Sequence, residues 1–128
     1  MVLQAEELRI GNWVTVPRRK DNEFYDKSVQ LGAIGKNTFG ILEDGKSLVA
    51  IKDNLSPILI TEDILLSSGF VKKIDGTWIV YINGWIALWK LESDDRFQVE
   101  DTYTDIYYVH QLQNLYFALT GEELELEL

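Results

Sequence analysis

The chain has no cysteine, a single histidine and two prolines. Without thiols there is no disulfide, no thiolate nucleophile and no cysteine-bearing zinc site. One histidine, His110, leaves one imidazole base for the whole sequence. No apolar run reaches the ~18 residues needed to span a bilayer, and the start Met1 to Glu7 lacks the basic region and apolar core of a signal peptide. The expectation is a cytoplasmic chain with no membrane partner. Low-complexity stretches and Gly/Ser/Pro-rich linkers are also missing, which implies closely tied lobes.

What is present suffices for a core. The 128 residues allow one ordinary domain or two small lobes, and an apolar share of 46% with 4 Trp, 6 Tyr and 5 Phe can fill an interior. The net charge of −9 is unevenly placed: eight basic and eight acidic residues balance up to Ile60, and four basic against thirteen acidic follow. Such an acidic second half opposes phosphate binding, so nucleic acid is not the expected partner. Solubility is its simplest role.

Asp44-Gly45, Asp75-Gly76 and Asn83-Gly84 lie between apolar runs and predict two-residue hairpins whose central residues take positive φ. The first half predicts strands over Asn12–Val16, Val29–Ile34, Thr38–Leu42 and Leu48–Lys52, with a polar loop from Pro17 to Lys27. Breaks at Gly32, Gly35 and Gly40 suggest the bends of a small SH3-like barrel. A short helix is predicted from Thr61 to Ser68: Thr61 caps it, Glu62 and Asp63 suit its positive end, and Ile64, Leu65 and Leu66 dock it.

Phe70 to Glu100 predicts a four-stranded antiparallel meander. With Asn83-Gly84 as the turn, Ile82 faces Trp85, Val80 faces Ala87 and Trp78 faces Trp89 on one side, while Ile79, Tyr81, Ile86 and Leu88 occupy the other. A sheet apolar on both sides needs cover on both. A last helix over Val109–Leu119 packs through Val109, Leu112, Leu115, Tyr116 and Leu119, with His110, Gln113, Asn114 and Phe117 opposite. Glu122 to Leu128 alternates with period two and predicts an edge strand. The fold class is thus α+β: a barrel-like lobe over 1–60, packed against a helix, meander, helix and C-terminal strand over 61–128, as one integrated unit.

Candidate chemistry is thin. His110 could serve a Ser or Thr nucleophile, yet at the head of a helix it reads as a polar surface residue. Glu92, Asp94, Asp95, Glu100, Asp101 and Asp105 form the densest acidic cluster, without the spacing of a calcium loop, and read as a solvated acidic surface. Arg18-Arg19-Lys20, followed by Asp21 and Glu23, reads as a solvated loop. No cofactor or metal is expected. Trp13, Trp78, Trp85 and Trp89 belong to a core or to an interface. The predicted contact set is Trp78, Tyr81, Trp85, Trp89, His110 and Phe117.

Three stretches carry a resemblance: Leu8-Arg9-Ile10-Gly11-Asn12, Pro57 to Phe70, and above all Tyr108-Val109-His110-Gln111-Leu112-Gln113-Asn114-Leu115-Tyr116-Phe117-Ala118-Leu119-Thr120-Gly121-Glu122-Glu123-Leu124. Together they cover about a third of the chain. The sequence resembles a family of short uncharacterised proteins of gut Bacteroidetes and of their phages and mobile elements. In the middle motif Leu59 stands where that family often has a second proline, Ile64 where it has tryptophan, and Ser67-Ser68 where it has Lys-Phe. The resemblance implies a cytoplasmic accessory role and no chemistry.

Three functions from different classes are compatible with these observations. The leading expectation is a non-enzymatic protein-interaction module, with an unidentified protein partner and scope for a homodimer. The second is an acidic inhibitor that mimics nucleic acid. The third is an enzyme built on a pocket that gathers His110, Asp105 and Tyr108.

Overall fold

In the computed structural model, residues 3–102 and 104–128 are described. Met1 and Val2, the head of the stretch read for a leader, lie outside them. The chain divides into two units, Met1–Ile58 with Leu128, and Leu59–Glu127. Both are built on antiparallel sheets, with two α-helices in the second, which is an α+β protein.

Period-two burial builds the first unit. Strands β1 (Trp13–Lys20), β2 (Glu23–Ile34), β3 (Thr38–Glu43) and β4 (Lys46–Ile51) form a meander in that order. Val14 and Val16, Val29 and Leu31, and Phe39 and Ile41 alternate inward and join Leu3, Leu8, Ala50 and Leu55 in one core. Each Val, Leu, Ile or Phe side chain among them contributes about 1.5–3 kcal/mol on burial. Gly11, at φ 95°, turns the chain into β1, and the buried Asn12 holds that turn by accepting the Arg9 N–H at 2.7 Å. At Gly40 a side chain would press within 2.9 Å of the Ala33 Cβ, where β2 is bulged between Leu31 and Ala33.

Two expectations for this unit change. Pro17 to Lys27 is not a loop: β1 and β2 continue past the sheet as a two-stranded arm closed by Asp21 and Asn22, at φ 53° and 66°. These residues can adopt left-handed backbone without glycine. Cross-strand pairs support the arm, with Arg19 5.6 Å over the Phe24 ring, while Arg18 and Lys27 clamp Glu43. Nor does the sheet close into a barrel. After β4 the chain makes a 3-10 turn at Lys52–Asn54, and only Ser56 returns to β1, exchanging both backbone hydrogen bonds with Thr15 at 2.9 and 3.0 Å.

The second unit is a five-stranded sheet in chain order: β5 (Val71–Asp75), β6 (Trp78–Asn83), β7 (Ile86–Leu91), β8 (Phe97–Val99) and β9 (Asp105–Ile106). It has one strand more than the meander read from the sequence. The β6–β7 hairpin closes on Asn83 and Ile86, so Gly84 and Trp85 are the turn residues, not Asn83 and Gly84. Gly84 has φ 59° and neither neighbour is positive, which suits a turn with glycine in its first central position. The β5–β6 turn repeats this with Gly76, whereas Asp44 and Gly45 are both positive as expected. Pairing shifts by two residues, so the faces survive: Val80 faces Trp89 and Ile82 faces Ala87, while Trp85 leaves the sheet.

Helix α1 (Glu62–Ser67) begins at Thr61, whose hydroxyl accepts the Ile64 N–H at 3.2 Å. Of its three predicted docking residues, only Leu65 is fully buried, because six residues offer one inward position per turn; Leu66 is exposed. Helix α2 (Val109–Thr120) ends on Gly121 at φ 74°. Its buried residues are Val109, His110, Leu112 and Gln113, all in its first half, while Leu119 is exposed. The predicted apolar stripe is therefore fully buried only at the helix start, where the polar neighbours are buried too, and is half-buried at Leu115 and Tyr116. Glu122 to Leu128 forms no strand, although Leu124 is buried and the glutamates point outward. Among the described residues no helix is long and apolar enough to cross a membrane.

Candidate functional site

Both faces of the second sheet hold buried residues, Val80 and Ala87 among them on the side of Trp78 and Trp89. Tyr81, Ile86, Leu88, Phe97, Val99 and Ile106 are buried on the opposite side, with Tyr81 and Phe97 edge to face at 5.9 Å. On that side the Tyr81 hydroxyl donates to Glu62 of α1 at 2.8 Å, and Lys72 reaches the same carboxylate at 2.7 Å. Burial and the Glu62 bond push the Tyr81 phenol up to about 12; Lys72, then Tyr81, hold the Glu62 carboxyl below its usual range. Tyr81, predicted as a contact residue, is thus a core anchor.

The other face carries a groove. Trp78 and Trp89, diagonal neighbours on β6 and β7, meet edge to face with centroids 6.2 Å apart and planes at 75°. Both are half-buried. With Gln98 they floor two adjoining hollows of about 240 and 200 Å³. Leu91, Asp94, Arg96 and Asp105 wall the first; Val99, Glu100 and Asp101 wall the second. Four predicted acidic residues therefore line the two hollows, with Asp94 and Asp105 beside Arg96 in the first.

Local turns set these walls. Asp94 accepts the Arg96 N–H at 2.9 Å and its Nε and Nη2 at 3.0 and 2.8 Å, and the guanidinium holds the Asp94 carboxyl down to about 2. Arg96 also lies 3.9 Å from Asp105. Beyond β8, Thr102 donates to the Val99 carbonyl at 3.0 Å and Asp101 takes φ 61°, a tight turn that presents Glu100 and Asp101. Arg96 and Gln98 were missed in the sequence, although one arginine amid six acids was a signal. Glu92 lines a separate hollow with Gly76, Thr77, Leu91 and Ser93, and Asp95 is exposed on the β7–β8 connection. Among the described residues, no three His, Asp or Glu side chains are grouped to hold a metal.

The remaining contact candidates scatter. Trp85 is 100% exposed at the hairpin tip, and Phe117 is 40% exposed on the outer half of α2. His110 is the reverse of a surface residue: it is 1% exposed in the first turn of α2, stacked on Tyr108 at 5.9 Å, and burial lowers its pKa to about 4. The hollow lined by Asp105 includes neither His110 nor Tyr108, so the sequence-read enzyme constellation is not assembled there. In the motif around His110, Gln111 accepts the backbone N–H groups of Tyr107 and Tyr108 at 2.8 and 3.1 Å, fastening the helix start. These residues have visible structural work.

Comparison with family models, with curated proteins and with solved structures finds no match to this chain.

Proposed function

We propose that the chain is a non-enzymatic docking module whose Trp78–Trp89 groove receives part of a partner protein. The observation that carries this reading is a pair of half-buried indoles at the floor of a concave, acid-walled surface. Indoles are enriched where proteins meet, because each offers a large rigid area at little entropic cost. The resemblance to short uncharacterised proteins of gut Bacteroidetes, their phages and mobile elements implies an accessory role in a bacterial cytoplasm and supports this reading. Affinity capture from host lysate, followed by mass spectrometry, tests it: a protein retained by wild type and lost with Gln98→Lys is expected. Identical captures from both would refute the groove's role. Sedimentation at high micromolar concentration shows whether a second copy can be the partner.

In the first unit we infer an SH3-like build, supported by the 3-10 turn and the Thr15–Ser56 bridge that brings the chain back to β1. Slow hydrogen exchange at both amides is expected.

A second reading, an acidic mimic of nucleic acid, gains from the gathering of Asp94, Asp105, Glu100 and Asp101 along one groove. Arg96 beside Asp94 and Asp105 weakens it, since the mimic needs its carboxylates turned outward.

A further inference from the structure

Resting on the docking reading, the geometry points to an extended, arginine-bearing segment of a partner protein as the occupant of the Trp78–Trp89 groove. Layout is the first argument. Hollows of about 240 and 200 Å³ share Trp78, Trp89 and Gln98 and lie side by side, which suits successive positions of an extended segment.

The aromatic geometry is the second. With the planes at 75°, one indole turns its edge to the other, so the pair does not consume its faces in parallel stacking. A cation over an indole face, within about 6 Å of the ring centre, is drawn to its negative quadrupole. Arg19 already makes this contact with Phe24 in the first unit.

Charge is the third. Asp94, Asp105, Glu100 and Asp101 outnumber Arg96, and Glu100 and Asp101 are exposed where an incoming cation would reach them. A guanidinium can lie flat on an indole while forking to a carboxylate, whereas an ammonium is a compact, strongly hydrated point charge. Arginine is therefore the better fit. Phosphates would meet repulsion from the same wall.

Calorimetric titration of the full chain tests the assignment, using the capped peptide Gly-Arg-Gly-Arg-Gly and analogues with citrulline or lysine in place of arginine. The arginine peptide should bind, the lysine peptide about threefold to fivefold more weakly, and the neutral citrulline peptide at least about tenfold more weakly. Raising the salt to about 0.5 M should weaken binding, because exposed charges are then screened. Trp89→Leu should cost about tenfold. Since Trp89 also packs in the sheet, the decision rests on Gln98→Lys, at an exposed β8 position, expected to weaken the arginine peptide by about fivefold or more. Equal binding of the arginine and citrulline peptides, no effect of Gln98→Lys, or no binding at millimolar peptide would each overturn the proposal. If the peptides fail while a lysate protein is still lost with Gln98→Lys, arginine recognition falls and docking stands; if both fail, both readings fall.

Discussion

Acidification should destabilise this protein from near pH 6.5, well before its carboxylates protonate, because of His110. Burial lowers the imidazole pKa from 6.5 to about 4 in the folded state, so the folded chain keeps it neutral where the unfolded chain binds a proton. The stability linked to His110 is therefore fully present above pH 6.5 and is lost as pH falls toward 4. At about 1.4 kcal/mol per pH unit, the full span amounts to about 3 kcal/mol, with about 1.4 kcal/mol gone between pH 7.5 and 5.5. The depressed carboxyls of Glu43, Glu62 and Asp94 act below their ordinary values near 4, a lower window. Urea unfolding followed by circular dichroism should show the midpoint fall by roughly 0.5–1.4 M over that interval, and His110→Gln should flatten the slope. As the only histidine, His110 gives unambiguous ring signals in proton NMR. Titration of those signals near pH 6.5 in the folded protein, or equal slopes for both proteins, would refute the reasoning.

Tyr81→Phe removes the hydroxyl that donates to Glu62 and should cost about 1 kcal/mol at pH 8. Because the folded phenol is raised to about 12, its linked stability is present below pH 10 and lost between 10 and 12, so urea midpoints of wild type and Tyr81→Phe should converge as pH climbs through that range. Glu43→Gln should cost about 1 kcal/mol at pH 7, by loosening Arg18 and Lys27 from the end of β3. Arg18 chiefly holds that carboxyl down to about 2, so the deficit in thermal unfolding should persist above pH 4.5 and shrink as pH falls toward 2.

Strong local signals carried much of the fold. Alternation at Val14, Val16, Val29, Leu31, Phe39 and Ile41 and the Thr61 cap located the core part of three strands and a helix, while β1 and β2 run four and six residues beyond their expected ends. Turn registers were harder. Asn83-Gly84 and Asp75-Gly76 each admit a hairpin with glycine first or second, and because the two registers differ by two residues they leave the same side chains on each face, so alternation does not choose between them. The arm at Asp21-Asn22 was hidden because Asx residues supply positive φ without glycine's marker. For the site, Trp78 beside Trp89 was legible because face parity survives a two-residue shift. The burial of His110 was not: helical periodicity assigns one inward stripe, and nothing in it foretells a first turn enclosed on two sides.

Trp85 gives the molecule a built-in optical reference. An indole wholly in solvent emits at nearly the same long wavelength whether the chain is native or denatured, whereas Trp78 and Trp89 sit where solvent reach and neighbouring charge vary. Ligand entering the groove should alter the blue part of the spectrum and leave the red part steady. A soluble quencher such as acrylamide should erase the red part first.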